Sequence, residues 1–383
     1  MCCRIPPCRG FIKSSNAISV PQRRKIGSDR GIKEIMQTYQ DVLNSIEKDK
    51  STLLLGNGFS MAYDRHRFSF THLLEKAVSE GLISKESPLY KVFEEFSLSD
   101  FEEVICMLEN SATIDLQYGL NNVDELKKDA KNLKKYLVKI ITNNHPEKIS
   151  DISDKEYVSC AQFISKYKEI YTLNYDLLLY WTTMKLDSFR QFPDLCPTIS
   201  SADFGSLDIN DGFGNDEDNE DAKYVVYQTE KPYNQRIHYL HGALHIFDKG
   251  NKIIKNTYSR TGEILKFQTY RNLLKDIYPV FISEGTSDMK RRKILHNALL
   301  THEYKSLTKK GGDLVIFGTV LKTNDEHIRK AVLDGDRTKG FKRIYMGVFS
   351  EADKEAAEAF KIEAEQKGKA CFLYDASTAH VWR

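Results

Sequence analysis

The chain has 383 residues, of which 41% are hydrophobic, and its 56 basic and 54 acidic side chains leave a net charge of +2. This length allows one large domain or two smaller ones, and the near-neutral charge gives no global reason to expect direct nucleic-acid binding. No apolar run reaches the roughly 18 residues that a membrane span needs. The seven cysteines are dispersed without a C-x-x-C pair, which argues against a zinc ribbon or disulfide framework and favours a reducing, cytoplasmic location.

The chain begins with a segment that lacks helical or strand periodicity. Residues 1–33 contain prolines and many basic residues, and they have no continuous apolar stretch to act as a signal peptide. We expect this segment to be a disordered extension. The folded domain is predicted over residues 34–383, with a helix near residues 31–48 that leads into the first strand.

The first strand is predicted at the start of the run LLLGNGFS, residues 53–60. A continuous apolar run is typical of a strand buried on both faces, as in the parallel sheet of an α/β protein. Five candidate ligand-binding residues follow this strand: Gly56, Asn57, Gly58, Phe59 and Ser60. Glycines let the backbone approach a ligand, and a following helix would offer free N–H groups to an anion. A tight turn without a ligand is an equally good interpretation of this motif alone.

Residues 65–167 show almost no strand pattern and are predicted to be a large helical insertion after the first strand. Leu126, Leu133, Leu137 and Ile141 recur at the spacing of one helical face, and lysines lie between them. We interpret these lysines as the solvated face of an amphipathic helix.

Strand patterns return after residue 168 and alternate with helices toward the end of the chain. Strands are predicted at residues 169–173, 223–228, 237–242, 280–285, 313–318, 343–348 and 371–375, and helices at 323–333 and 351–366. This alternation predicts an α/β fold with a Rossmann-like parallel sheet and helices on both faces. Residues 203–221 are predicted to be a solvated acidic loop, because the glycine comes one position too early for a calcium loop.

Polar residues and glycines follow four of the predicted strands, in the sequences GNGFS, TLNYD, HG and FGT. In doubly wound sheets ligands bind outside the carboxyl ends of the strands, so these four segments are expected to converge on one pocket. Taken alone, Asn174 of TLNYD would also suit a helix cap.

The three histidines of the 237–245 region raise the question of a metal site. His238 and His241 are three residues apart, so on a strand their side chains point to opposite faces and cannot readily share a metal. No metal site is therefore predicted. His241 is left as either a structural hydrogen-bonding residue or an acid–base group, which its near-neutral pKa suits.

Taken in order, GNGFS, TLNYD, LHG and FGT resemble the motif series of the sirtuin family, usually written GAGxS, TQNxD, HG and GTS. The segments FISEGTSDMKRRKIL and FGTVLKTNDEHI resemble the divergent bacterial sirtuin-like proteins of antiviral defence systems. The resemblance implies a Rossmann-like domain that binds NAD, with a helical insertion after the first motif.

Carried over by position, the resemblance implies a role for each cofactor-binding residue. The amides of residues 56–60 and the hydroxyl of Ser60 would hold the pyrophosphate. Gly318 and Thr319 would close over the phosphates and ribose, and Asp176 would orient the nicotinamide carboxamide.

The resemblance also implies a reaction, in which NAD is the substrate and is cleaved to nicotinamide and ADP-ribose or its cyclic form. Asn174 would align a water and His241 would act as general base beside the nicotinamide ribose. Such an NAD hydrolase would be the toxic effector of an antiphage system, controlled by homo-oligomer assembly or by a companion ATPase or sensor. No membrane partner is expected.

Three positions depart from the family pattern: Asn57 replaces alanine, Leu173 replaces glutamine and Val320 replaces serine. The chain also has neither the four-cysteine zinc module nor a GIPDFR-like segment, so no zinc is expected and protein deacylation is disfavoured. A non-catalytic sensor that binds NAD or ADP-ribose stays open as the alternative to an NAD hydrolase.

Overall fold

The computed structural model describes residues 36–98, 101–191, 209–228, 235–257, 264–275, 277–282, 287–335 and 340–383. Five predictions fall wholly or partly outside the described residues: the extension at 1–33, the start of the helix at 31–48, two residues of the helical insertion at 65–167, the start of the acidic loop at 203–208 and the end of the strand at 280–285. Residues 36–383 form one compact unit.

The described strands, in chain order, are Gln37–Thr38 (β1), Ser51–Leu55 (β2), Glu169–Thr172 (β3), Phe213–Gly214 (β4), Tyr224–Tyr227 (β5), Ile237–Tyr239 (β6), Gly242–Asp248 (β7), Ile253–Asn256 (β8), Pro279–Phe281 (β9), Gly312–Phe317 (β10), Phe341–Val348 (β11) and Ala370–Asp375 (β12). The described helices are Tyr39–Ser45 (α1), Gly58–Tyr63 (α2), Arg65–Phe68 (α3), Phe70–Ser79 (α4), Pro88–Glu95 (α5), Phe101–Tyr118 (α6), Val123–Asn144 (α7), Asp154–Ile164 (α8), Leu178–Gln191 (α9), Leu265–Leu274 (α10), Ser287–His296 (α11), Ala298–Thr308 (α12), Glu326–Leu333 (α13) and Glu351–Gln366 (α14). None of these helices combines the length and the apolar character that crossing a membrane requires.

A seven-stranded sheet forms the centre of the fold, in the order β1-β12-β11-β10-β2-β3-β6. Every neighbouring pair of its strands is parallel. All five residues of β2 are buried, as its apolar run predicts for a strand covered on both faces. The predicted Rossmann-like α/β fold, with a parallel sheet flanked by helices, is confirmed.

The strand register brings the ends of several strands to one level. Leu55 of β2 pairs with Phe317 of β10 on one side and with Thr172 of β3 on the other, and Thr172 pairs with Tyr239 of β6. From β2 the chain first adds β3 and β6 on one side. It later returns to the other side of β2, where it adds β10, β11 and β12. The boundary between β2 and β10 is thus a topological switch point, where ligands of doubly wound sheets bind.

The long insertion after β2 is helical, as predicted. The described residues between positions 65 and 167 form helices α3 to α8 and short turns, with no strand among them. Lys127, Lys128 and Lys131 of α7 are exposed, which fits a solvated face. Lys134 differs, because its ammonium group lies 2.9 Å from a carboxylate oxygen of Glu109 on α6.

Two predictions about secondary structure are wrong. The predicted strand at 237–242 is split, because the chain leaves the parallel sheet after Tyr239 and enters a second, antiparallel sheet at Gly242, in the order β4-β5-β8-β7-β9. Gly242 has φ +75°, and a Cβ there would lie 1.9 Å from the carbonyl oxygen of Val280, so this crossing point requires glycine. Within the described residues 36–48, the predicted helix is limited to α1, because the hydroxyl of Thr38 accepts from the amide of Asp41 and caps the helix there.

Candidate functional site

Two neighbouring cavities lie at the carboxyl edge of the parallel sheet, at the switch point between β2 and β10. Their volumes are about 280 Å³ for the first cavity and 690 Å³ for the second, a combined size suited to a small-molecule ligand. Five residues line both: Asn57, Gly318, Thr319, Val320 and Asp353. The predicted site residues that line at least one cavity are Gly56, Asn57, Gly58, Asn174, Asp176, His241, Gly318 and Thr319.

The glycines after β2 and β10 let two turns touch each other. A Cβ on Gly58 would lie 2.5 Å from the Cα of Gly318, and a Cβ on Gly56 would lie 2.4 Å from the Cβ of Thr319. Gly318 itself has φ +79°, a conformation that side chains other than glycine rarely adopt. The glycine pattern is therefore explained by close packing between the two turns that form the floor of the cavities.

The predicted phosphate cradle of backbone amides needs correction. Four of the five amides from Gly56 to Ser60 already donate to carbonyl oxygens: Gly56 to Phe317 at 2.9 Å, Gly58 to Gly318 at 2.8 Å, Phe59 to Gly56 at 2.9 Å and Ser60 to Asn57 at 3.0 Å. These amides stabilise the turn and are committed to the protein. The helix that follows, α2, has only six residues, so it offers little dipole to an anion.

The side chain of Asn57 has a structural partner. Its Nδ2 atom donates to the carbonyl oxygen of Phe68, at the end of α3, over 3.0 Å. The amide thereby ties the turn after β2 to the start of the helical insertion. The sirtuin motif has alanine at this position, and this bond explains the asparagine found here.

Ser60, Asn174 and Asp176 form a hydrogen-bonded group below the first cavity. The buried hydroxyl of Ser60 donates to Oδ2 of Asp176 and accepts from Nδ2 of Asn174, the latter over 2.9 Å. Oδ1 of Asp176 accepts from the amide of Leu178 over 2.8 Å, at the start of α9. Ser60 is therefore not the predicted pyrophosphate ligand, because its hydroxyl holds the two side chains that do line the first cavity.

The side chain and the carbonyl group of Phe59 also have structural partners. Its side chain is buried and packs against Trp382, with ring centroids 5.3 Å apart. The indole N–H of Trp382 donates to the carbonyl oxygen of Phe59 over 3.1 Å. Phe59 thus anchors the last residues of the chain to the turn after β2, and Trp382 in turn lines the second cavity.

His241 lies between β6 and β7 and lines the first cavity. Its Nε2 atom is 3.1 Å from Nε2 of His327, which belongs to α13, and the two rings stack. Burial lowers the pKa of His241 well below its ordinary value, and the nearby charge of Lys290 lowers it further. Burial likewise lowers the pKa of His327 to about 3. Both imidazoles are therefore neutral at physiological pH, and the contact between their Nε2 atoms joins an N–H of one ring to the lone pair of the other.

Charged side chains that the sequence reasoning missed also line the first cavity. Lys290 of α11 is buried, and its ammonium nitrogen lies 3.5 Å from Oδ1 of Asp325. Lys322 lies 3.7 Å from Oδ1 of Asp353, and all four residues are part of the cavity wall. No local sequence motif marks these four positions. The only sequence signal that could have identified them was a lysine or aspartate near the end of a strand.

His238 and His241 have separate partners, and the expectation of no metal site stays a prediction. Nδ1 of His238 lies 2.5 Å from Oε2 of Glu303. Within the described residues, however, His241 and His327 lie together with Asp325, and one ligand atom from each falls within 4.8 Å of the others. No sequence pattern connected these three residues.

Residues 53–382 match the family model described as "Domain of unknown function (DUF4917)". Since the match covers most of the chain, the chain belongs to this family. No curated protein matches the chain.

Proposed function

We propose that this member of a family without an assigned function is an NAD-cleaving hydrolase that breaks the bond between nicotinamide and ribose. The observation that carries the proposal is the meeting of Asn174, Asp176 and His241 on the wall of one cavity at the switch point. These residues follow two different strands, and their convergence was expected because ligands of doubly wound sheets bind at the carboxyl ends of the strands. The family match itself supplies no activity.

The two cavities suit a ligand with two lobes. The shared wall at Gly318 and Thr319 separates the first cavity from the second, and the second extends toward the carboxyl ends of β11 and β12. NAD has two nucleoside halves joined by a pyrophosphate. In the proposal the nicotinamide riboside occupies the first cavity, the adenosine occupies the second, and the pyrophosphate passes over residues 318–319.

The charge in the first cavity suits cleavage of a glycosidic bond. When nicotinamide leaves, positive charge of oxocarbenium type develops on the ribose, and preorganised negative groups stabilise such charge. The buried carboxyl of Asp176 lies on this wall, although burial raises its pKa above the ordinary value. The donors Ser60 and Leu178 act against that rise and hold the carboxyl in place.

Asn174 and His241 supply the remaining groups. Nδ2 of Asn174 is bound to Ser60, which fixes the amide so that its carbonyl oxygen acts as the acceptor for a water or a ribose hydroxyl. His241 is neutral and so has a lone pair to take the proton of that water. General-base assistance of this kind is worth about 10²–10⁴-fold in rate.

The test is NAD consumption by the purified protein, with nicotinamide release measured by chromatography. Asn174→Ala and His241→Ala should each lower the rate by roughly 10²-fold or more. His296→Ala and Asn251→Ala are matched controls, because both residues are exposed and line a separate cavity beside the acidic loop. Thermal unfolding of every variant separates loss of activity from loss of fold. Unchanged NAD cleavage by both site variants would exclude this assignment.

A binding-only protein is the second candidate, and the pairing of His241 with His327 favours it. Nε2 of His241 already faces another imidazole at 3.1 Å, and a base must release that contact to accept a proton from substrate. Calorimetric titration distinguishes the two functions. Stoichiometric binding of NAD that is recovered intact would support a sensor, whereas heat from continuous turnover would support the hydrolase.

A role in antiviral defence extends the hydrolase proposal and rests on the sequence resemblance alone. Cells that express the wild type should lose NAD during phage infection, and cells that express Asn174→Ala should not. Equal NAD levels in both cell lines, together with activity of the purified protein, would separate the chemistry from this biological role.

A further inference from the structure

His241, Asp325 and His327 come from two parts of the fold and meet at one edge of the first cavity. His241 lies between β6 and β7, whereas Asp325 and His327 lie two residues apart at the start of α13. The two imidazoles face each other through their Nε2 atoms at 3.1 Å. One carboxylate oxygen of Asp325 lies within 4.8 Å of both ligand nitrogens. We propose that these three side chains form a binding site for a divalent transition-metal ion.

The distance between the two imidazoles fits such an ion. Zinc binds histidine nitrogen at about 2.0–2.1 Å in tetrahedral geometry, which places two ligand nitrogens about 3.3 Å apart. The observed separation of 3.1 Å is within a small ring movement of that value. Two histidines and one carboxylate leave a fourth position for water or another ligand, and two of the three side chains, His241 and Asp325, line the first cavity. Imidazole nitrogens select zinc, copper, nickel or iron over magnesium or calcium.

A second layer of contacts orients His327 for this role. Its Nδ1 atom lies 3.2 Å from Oγ of Ser287, and the same Oγ accepts from the backbone amide of His327. With Nδ1–H directed at Ser287, the lone pair of Nε2 points toward His241. Metal-binding histidines usually have such a partner on the second ring nitrogen. The carbonyl oxygen of His327 also accepts from the hydroxyl of Tyr304 over 3.0 Å, which fixes the backbone.

Lys290 opposes the metal and sets the affinity. Its ammonium nitrogen lies 3.5 Å from Oδ1 of Asp325, so the metal competes with this lysine for the carboxylate and meets its positive charge. Asp325 is only partly buried, which leaves its side chain room to rotate toward the histidines. We therefore expect Lys290→Met to bind metal more tightly than the wild type.

Metal binding would also silence the proposed hydrolase. The ion takes the lone pair of His241 and adds positive charge where the reaction develops positive charge. This consequence rests on the proposed function, whereas metal binding itself does not. The site would thus make NAD cleavage sensitive to the concentration of free zinc.

In the test, the full chain is titrated with zinc chloride in a calorimeter. It is also titrated with cobalt(II) while visible absorption is recorded. Cys2, Cys3 and Cys8 carry thiols that can bind zinc themselves, so all chains carry serine at these three positions. We expect one ion per chain in the parent. His327→Ala and Asp325→Asn should weaken binding by roughly 10²-fold, because loss of a supporting contact alone costs about 10–100-fold. The exposed His296→Ala is the matched control and should bind like the parent.

The results separate the two proposals. A parent that binds no zinc, or a His327→Ala variant that binds as tightly as the parent, overturns the metal site. Thermal unfolding of the variants checks that weaker binding does not reflect a lost fold, and tighter binding by Lys290→Met supports the site without disturbing any ligand. One result would separate them directly: the metal-free parent does not cleave NAD, yet on addition of cobalt(II) it gives an absorption spectrum that is lost in His327→Ala. In that case the hydrolase proposal fails and the metal site stands.

Discussion

His238 and His241 lie three residues apart at the end of β6, and their surroundings are opposite. His238 is buried between two carboxylates, with Nδ1 2.5 Å from Glu303 and Nε2 3.6 Å from Glu169, and it stacks on Tyr171. His241 lines a cavity and faces a second imidazole, and Lys290 is the charge that acts on it.

The pKa shifts follow this difference. Burial lowers the pKa of His238, but the charge of Glu303 and the contact with Glu169 outweigh burial and raise it. At His241 the charge of Lys290 acts in the same direction as burial, so the pKa of His241 is lowered. A buried histidine with its own counter-charges serves the fold, whereas one that stays neutral beside a cavity is a candidate for chemistry or metal binding. Residue type alone does not distinguish them.

The largest effect is expected when the carboxylate of Glu303 is removed. This carboxylate accepts from Gln235 and lies against His238 in the interior. Glu303→Ala removes the nearer of the two carboxylates beside His238 and takes an acceptor from the buried side chain of Gln235. We therefore expect the free energy of unfolding to fall by about 3–5 kcal/mol. Denaturant unfolding measures this loss. By contrast, NAD cleavage per folded molecule should stay near the wild-type value.

Lys305→Ala on the same helix is the control, because Lys305 is exposed and surface substitutions usually change stability by less than about 0.5 kcal/mol. If Glu303→Ala abolished NAD cleavage in a folded protein, the two histidine regions would not be separate in function.

A smaller effect is expected at Ser60. In Ser60→Ala the carboxylate of Asp176 and the amide of Asn174 both lose their shared partner. We expect a loss of about 1–3 kcal/mol in the free energy of unfolding, because buried polar groups are left unsatisfied. We also expect a lower kcat with little change in KM, since both affected side chains line the first cavity. Ser79→Ala, an exposed serine on α4, is the control, and an unchanged kcat would argue against a positioning role for Ser60.

The smallest effect is the pH dependence that His238 contributes. Its folded-state pKa is raised above the unfolded value of about 6.5, so the folded protein binds the proton more tightly. The resulting stability is fully present below about pH 6.5 and is lost as the pH rises through the folded-state pKa. Unfolding of the wild type and of His238→Gln between pH 6 and 9 should therefore show a steeper decline in the wild type. Parallel curves would mean that His238 is not protonated in the fold.

Much of the fold could be predicted because its main signals are local. The apolar runs of β2 and β10 and the alternation after residue 310 identify a parallel sheet from the sequence. Parallel strands end at a common edge, so the meeting of Asn174 with His241 also followed from strand order. The second sheet was hidden, because the apolar pattern continues from β6 into β7 and the break depends on the contact of Gly242 with Val280.

The rest of the site depends on contacts between distant segments. Lys290 of α11 and Asp325, just before α13, line the first cavity, and His327 of α13 contacts His241. No spacing in the sequence links these three residues to residue 241. The expected amide cradle at residues 56–60 was wrong for a related reason. Four of its five amides donate to carbonyl oxygens of its own turn or of residues 317 and 318, and a local motif cannot reveal a partner so far along the chain.

The pairing of the turn at residue 56 with residues 317–318 and with Trp382 has a consequence for protein synthesis. The amide of Gly56 donates to Phe317, and the backbone of Phe59 accepts from Trp382. A ribosome must therefore complete nearly the whole polypeptide before this edge of the sheet can form, since contacts of such large sequence separation are late and slow. A nascent or prematurely terminated chain holds no finished pocket, so only full-length copies could carry the activity proposed for it.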